Sequence, residues 1–249
     1  MKTRTLTTIT VAATVIAATA VPAGESKPVL KQIGRPAEFV DAIQYRPFSE
    51  EYIVTKRSAV FRVPAKNVEY ARSVKPGDLD SAVRARNAAV LERIRKKHRG
   101  LGWDTVALRH LVPIYISKKQ PGLAINAFED LRDRTTAIPT DLYRQYLDAL
   151  KAAGKNATLQ EELENLMSTG PRDLAAMANI MRGDMLMKEG QVRLALVDGY
   201  LRTAVLFRNV KDQRRETLEK TIAALEQLHD RRAEKFRQQL KREFPDSTT

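Results

Sequence analysis

Cysteine is absent from the 249-residue chain, tryptophan occurs once and histidine three times. Without cysteine there is no disulfide framework, no thiol chemistry and no lipid attached at a cysteine, the usual anchor of exported proteins that lack a membrane span. His98, His110 and His229 fall in separate predicted helices, with no second histidine or acid at metal-ligand spacing. His229 and Asp230 are adjacent, but neighbours on a helix point in different directions. A Gly-rich phosphate loop, a Gly-x-Ser-x-Gly elbow and a His-Glu-x-x-His pair are all missing. The carboxylates Asp80 with Glu92, and Glu161, Glu162 and Glu164 in LQEELENL, read as solvated helix faces rather than acid–base pairs. These absences predict a protein that is not an enzyme and uses neither cofactor nor metal.

Acidic residues are also in short supply. Thirty Asp and Glu face 43 Lys and Arg, for a formal net charge of +13 and a pI near 10. Such an excess favours anionic partners: acidic polysaccharide, nucleic acid or a phospholipid surface. Hydrophobic residues at 43% and charged residues at 29% are ordinary for a globular chain and too apolar for a disordered one.

No long apolar run is present either. Lys2 and Arg4 precede an uncharged stretch from Thr5 to Ala20 that is diluted by six threonines and ends in small residues. The order of cationic, apolar and small-residue regions is that of a secretory signal peptide over 1–23, cleaved after Ala20 or Ala23. The run is too weak to hold a helix across about 30 Å of hydrocarbon. The expected product is exported, periplasmic or extracellular, with no transmembrane span after cleavage.

Between 24 and 77 the pattern is that of a small β unit. Phe39, Asp41, Ile43 and Tyr45 alternate with Val40, Ala42 and Gln44, and EYIVTKR and AVFRVP are separated by turn candidates at Pro47-Phe48-Ser49 and Arg57-Ser58. Three or four short strands in a curled sheet are expected, with Tyr45, Tyr52, Phe61 and Tyr70 filling its core. The period then changes. Over 78–103, Asp78 is a candidate N-cap, Leu79, Val83, Val90, Leu91 and Ile94 form a ragged apolar stripe, and Gly100 is a natural stop. This predicts one basic linking helix. Its Arg93, Arg95, Lys96, Lys97 and Arg99 place five cations in seven residues, a contact for an acidic polymer.

From Asp104 onward the pattern is helical to the end, cut at Pro121-Gly122, Pro139, Gly154, Gly170-Pro171, Gly190 and 211–216. Five residues beyond Gly122, Gly154 and Gly190 lie Ala127, Leu159 and Ala195; seventeen beyond lie Pro139, Pro171 and Phe207. A fourth copy reads Leu228, Ala233 and Pro245. This spacing predicts an array of helical hairpins.

The array, over 104–249, resembles the tetratricopeptide repeat: paired antiparallel helices with a turn glycine, a small residue early in the second helix and a proline after it. GDMLMKEGQVRLALVDGYL is the best copy, with Gly183 for close helix contact, Gly190 at the turn and Ala195 in the second helix. Departures are plain. Gly183 has Tyr115, Leu147 and Thr221 as counterparts, Phe207 replaces a proline, Leu228 replaces a glycine, and Pro113 interrupts a first helix. A degenerate family member and an unrelated array of α-hairpins both fit.

The fold expected is therefore α+β, mainly α: a tetratricopeptide-like solenoid of helical hairpins preceded by a small SH3-like β unit. The resemblance implies a scaffold of the bacterial-type cell envelope that binds a protein or peptide in a groove. Counting back from the three glycines places Arg109 and Lys119, then Asp141, Arg144, Asp148 and Lys151, then Asp184 and Lys188, on that groove. The alternative is a basic module for acidic envelope polymers or nucleic acid. Met177, Met181 and Met185 form a stripe at helical spacing, read as packing against a partner helix.

Overall fold

The computed structural model describes residues 27–245. The expected signal peptide, 1–23, lies outside the described residues. What is described is mostly helical, with a small β region first.

The β region has six strands where three or four were expected, and two sheets where one was expected. Strands β1 (Val29–Gln32), β2 (Glu38–Phe39) and β6 (Val68–Arg72) form an antiparallel sheet in the order β2-β1-β6. Strands β3 (Ala42–Arg46), β4 (Glu51–Lys56) and β5 (Ala59–Pro64) form the other, in the order β3-β4-β5. The chain crosses between them at Val40-Asp41, where the Val40 amide donates to Pro28 O and the Asp41 amide to Thr55 O. The alternation shifts phase there, so that Val40 is buried and Ile43 and Tyr45 turn inward after it. Arg57 and Ser58 both take positive φ, giving the two-residue hairpin whose twist matches the strands it joins.

Leu30, Val40, Tyr52, Val54, Val63 and Ala71 share one core with Leu101, which comes from the segment before the main helices. Two of the four aromatics expected in that core are not in it: Phe61 and Tyr70 are 52% and 46% exposed. Both lie on strands at a sheet edge.

The single basic helix expected over 78–103 is two helices, α1 (Leu79–Arg84) and α2 (Ala88–Lys97). Arg86 adopts a left-handed conformation between them, and Asn87 caps α2 by accepting from the Val90 amide at 3.3 Å. The next helices are α3 (Trp103–Ser117), α4 (Pro121–Arg132), α5 (Thr140–Ala152), α6 (Asn156–Thr169) and α7 (Arg172–Lys188). A bent helix follows, made of α8 (Val192–Leu194), a π-helical stretch (Ala195–Leu201) and α9 (Arg202–Leu206). The last two are α10 (Lys211–Gln227) and α11 (Arg232–Glu243). Pro113 does not interrupt α3, which runs through it at the loss of one backbone hydrogen bond.

Four of the connections share one geometry. After α3, α5, α7 and α10 comes one cap residue and then a left-handed residue: Lys119, Gly154, Gly190 and His229. In each, the left-handed residue's amide donates to the carbonyl three positions back, and the next amide to the carbonyl five positions back, as in Gly190 to Met187 O and Gln191 to Leu186 O. This double closure satisfies carbonyls that a helix end leaves open and reverses the chain.

Gly122 is therefore not the first turn residue. It lies inside α4 with an ordinary φ, and Lys119 takes the left-handed position. The fourth turn falls on His229, not Leu228. Aligned on these residues, the counterparts of Gly183 are Val112, Leu147 and Ile222, all buried. The sequence misplaces the register because two of the four turns force a non-glycine residue into the left-handed region.

Each hairpin packs on the next. The first helices touch in succession, α3 on α5, α5 on α7 and α7 on α10, while each second helix packs against its own first helix. Met177 and Met181 are buried in the core that runs from α1 to α7, with Met185 packed against it.

Left-handed backbone costs an L-residue roughly 1–2 kcal/mol and glycine almost nothing. Lys119→Gly and His229→Gly are each expected to raise stability by about 1 kcal/mol, and Gly154→Ala and Gly190→Ala to lower it by a similar amount. Thermal unfolding followed by circular dichroism checks both signs.

Candidate functional site

The charged positions expected on the groove separate into two groups. Arg109 donates to Ala137 O at 2.6 Å and serves the loop before α5. Lys119 is the exposed turn residue, not part of a first helix, and Asp141 is exposed in the first turn of α5. These three are not brought together. Arg144, Asp148 and Lys151 on α5 and Asp184 and Lys188 on α7 are, on the face where first helices adjoin.

A hydrogen-bonded chain crosses this face. The Arg144 guanidinium spans from α5 to α10, where Nη1 and Nη2 donate to Glu216 Oε2 and Oε1 at 2.8 and 2.5 Å. Lys220, one turn beyond Glu216, lies 2.9 Å from its carboxylate and donates to both oxygens of Asp184 at 2.7 and 2.5 Å. The Tyr200 hydroxyl donates to Asp184 Oδ1 at 2.8 Å. Three helices and the π-helical stretch are thus tied by alternating charge. Two-pronged, half-buried pairs of this kind carry more energy than single exposed contacts.

Sequence spacing missed Tyr200, Glu216 and Lys220. Counting back from a turn glycine passes over α10 because that hairpin turns on His229. Tyr200 comes from a second helix and reaches the face through a close backbone approach. Gly183 and Gly199 meet there: a Cβ on Gly199 would lie 2.6 Å from Gly183 Cα, and one on Gly183 would lie 2.6 Å from Tyr200 Cε1. The π-helical stretch seats Gly199 against α7 and lays the Tyr200 ring over Gly183. Counting forward from the turn at Gly190 does not reveal this contact, because the extra residue in the π-helical turn breaks the ordinary period.

Burial pushes the Glu216 carboxyl up, but hydrogen bonds from Arg144 and Lys220 outweigh it and leave it below its ordinary value. Burial and the hydrogen bond to Asp184 both raise Tyr200. Asp148, Lys151 and Lys188 are in no ion pair among the described residues. Burial, followed by the adjacent Lys188 ammonium, holds Lys151 below its ordinary value. The face therefore has a closed half, where Arg144, Glu216, Lys220 and Asp184 satisfy one another, and an open half at the C-terminal ends of α5 and α7.

The five cations expected to meet an acidic polymer are divided as well. Arg93 pairs with Asp78 at 2.8 Å. Arg95 turns toward α4 and pairs with Asp130 at 2.9 Å and Glu92 at 3.2 Å. Lys96 and Lys97 are exposed and in no ion pair among the described residues, and Arg99 lines a different cleft. Among the described residues no group of three or more His, Cys, Asp or Glu is placed to hold a metal ion, and no helix is long and apolar enough to cross a membrane.

A carboxylate whose pKa is lowered on folding adds stability above its unfolded value and loses it as pH falls through the folded one. Arg144→Ala is expected to cost about 1–2 kcal/mol at pH 7, the range for a hydrogen bond to a charged group less what solvent screens. The gap between wild type and variant should shrink below about pH 4.5, as Glu216 takes up its proton. Melting curves of both proteins at about pH 7 and pH 3.5 measure it.

Comparison of the chain with protein families, with curated proteins and with solved structures finds no match.

Proposed function

We propose that the protein is an exported, non-enzymatic scaffold that captures a protein or peptide on the face shared by α5, α7 and α10. The observation that carries this reading is the row of mixed charge across three successive first helices, half of it in no ion pair among the described residues. The architecture fits a tetratricopeptide-like solenoid: four hairpins, a repeated left-handed turn, and first helices stacked side by side. Stacked hairpins of this sort leave a surface open along the array, which suits binding more than chemistry. The β region enters the same reading as a small SH3-like unit, supported by two antiparallel three-stranded sheets around one core. Fold alone does not assign a function, so the site residues bear the weight.

Asp148, Lys151 and Lys188 are the groups that read the partner, because no ion pair among the described residues engages them. Arg144 plays a different part. Reversing its charge would set it against Glu216 and destabilise the fold, so such a variant could lose binding through lost stability alone. Lys151→Gln with Lys188→Gln is the cleaner test, because reversal to Glu would set two further carboxylates beside Asp148 and Asp184. The double variant is expected to lose capture of the wild type's partners from an envelope extract, by about tenfold or more, while its melting temperature holds within a degree or two. Capture at wild-type yield would exclude this face.

A second reading rests on Lys96 and Lys97, two exposed cations beside a hollow of about 530 Å³ lined by Lys75, Asp78, Arg93, Lys97 and His98, where Arg93 is paired with Asp78 and Lys75 with Asp80. It makes the protein a module for acidic envelope polymers. Exchange of Lys96 and Lys97 for Glu should then lower the salt needed to elute the protein from heparin, with unchanged circular dichroism. Unaltered elution would leave those lysines a solubilising role.

A further inference from the structure

A cleft of about 520 Å³ opens where the β region meets α3 and α4, and its chemistry is opposite to that of the chain as a whole. Four carboxylates line it, those of Glu69, Asp104, Asp130 and Asp133, against two guanidiniums, of Arg99 and Arg134; Glu69 lies 3.6 Å from Lys31 and Asp130 2.9 Å from Arg95, so the acids left to meet a ligand are Asp133 and one oxygen of Asp104. Arg134 is already committed: it donates to Asp104 Oδ2 at 2.6 Å and lies 3.7 Å from Asp130. Asp104 is 1% exposed. Its Oδ2 also accepts from the Gly100 amide at 2.8 Å, but its Oδ1 meets no donor. A buried carboxylate half-satisfied in this way leaves negative potential at the cleft. Asp133 is exposed and in no ion pair among the described residues.

The other wall is aromatic. Tyr45 and Tyr52 pack with ring centroids 4.9 Å apart, and Tyr70 remains 46% exposed on β6. Burial, then Tyr45 and the Asp104 charge, push the Tyr52 phenol up to about 12. Aromatic faces beside carboxylates attract organic cations twice over, through the ring quadrupole and through charge. The volume lies in the range of small-ligand sites.

We propose that this cleft binds a guanidinium or ammonium group, held between the tyrosine rings and the carboxylates of Asp104 and Asp133. The site is separate from the face on α5, α7 and α10, and the proposal does not depend on that face. Two sources present such a group: a basic side chain of a peptide, or a free amine.

The test is titration calorimetry of the full chain at low salt with Nα-acetyl-arginine amide, spermidine and an arginine-containing tripeptide, with Nα-acetyl-glutamine amide and glucose as controls. Saturable binding of a cationic probe is expected, with none of either control. Tighter binding of the tripeptide than of spermidine identifies a peptide source, and the reverse identifies a free amine. Asp133→Asn and Tyr70→Ala alter exposed positions and should each weaken binding by about fivefold or more. Arg99→Ala removes a competing cation from the rim and should tighten it severalfold, a change that general structural damage would not produce. Absence of cation binding by the wild type, equal binding of glucose, or three variants that bind as the wild type does would each overturn the proposal.

Discussion

The left-handed residue that follows each first helix is the constraint on which the helical array depends. It closes two hydrogen bonds onto the last turn and sends the chain back along the helix it has left. Because α3, α5, α7 and α10 all end this way, consecutive hairpins leave the turn in the same sense, and their first helices come to lie side by side. Any face built from successive first helices inherits its order from that repeated turn. Two of the four turns achieve it with Lys119 and His229, residues that take the conformation at a cost.

The charged face rests on a second condition, the lack of side chains at Gly183 and Gly199. Their contact lets the π-helical stretch settle onto α7, with the Tyr200 ring lying over Gly183 and its hydroxyl on Asp184. From Asp184 the chain of charge passes through Lys220 to Glu216 and Arg144, so backbone packing on one side orders the electrostatics on the other. A closed half of this kind holds three helices in register. The open half, at Lys151 and Lys188, keeps charge available at their ends.

The β region is fastened to the helices rather than hung from them. Tyr52 donates to Gly100 O at 3.0 Å, the Trp103 indole donates to Ser73 O at 2.7 Å, and Leu101 belongs to the β core. Gly100 is required here, because a Cβ would lie 2.9 Å from the Tyr45 ring. The seam so formed makes the tyrosine-lined cleft, and Arg99, which the sequence groups with the basic helix, stands on its rim.

Sequence alone determined the change from strand period to helix period near residue 78, the turns at Gly154 and Gly190, and the mixed charge of Arg144, Asp148, Lys151, Asp184 and Lys188. Periodicity and glycine report local backbone preference, and these features are local. Tertiary structure decided the rest. Lys119 and His229 serve as turn residues because packing overrides their preference, which shifts the register inferred from Gly122 and Leu228. Glu216 joins Arg144 across 72 positions, a distance over which spacing carries no information. Asp104 acquires its place only when α3, α4 and the β region close around it, because burial and partnership are properties of the assembled chain.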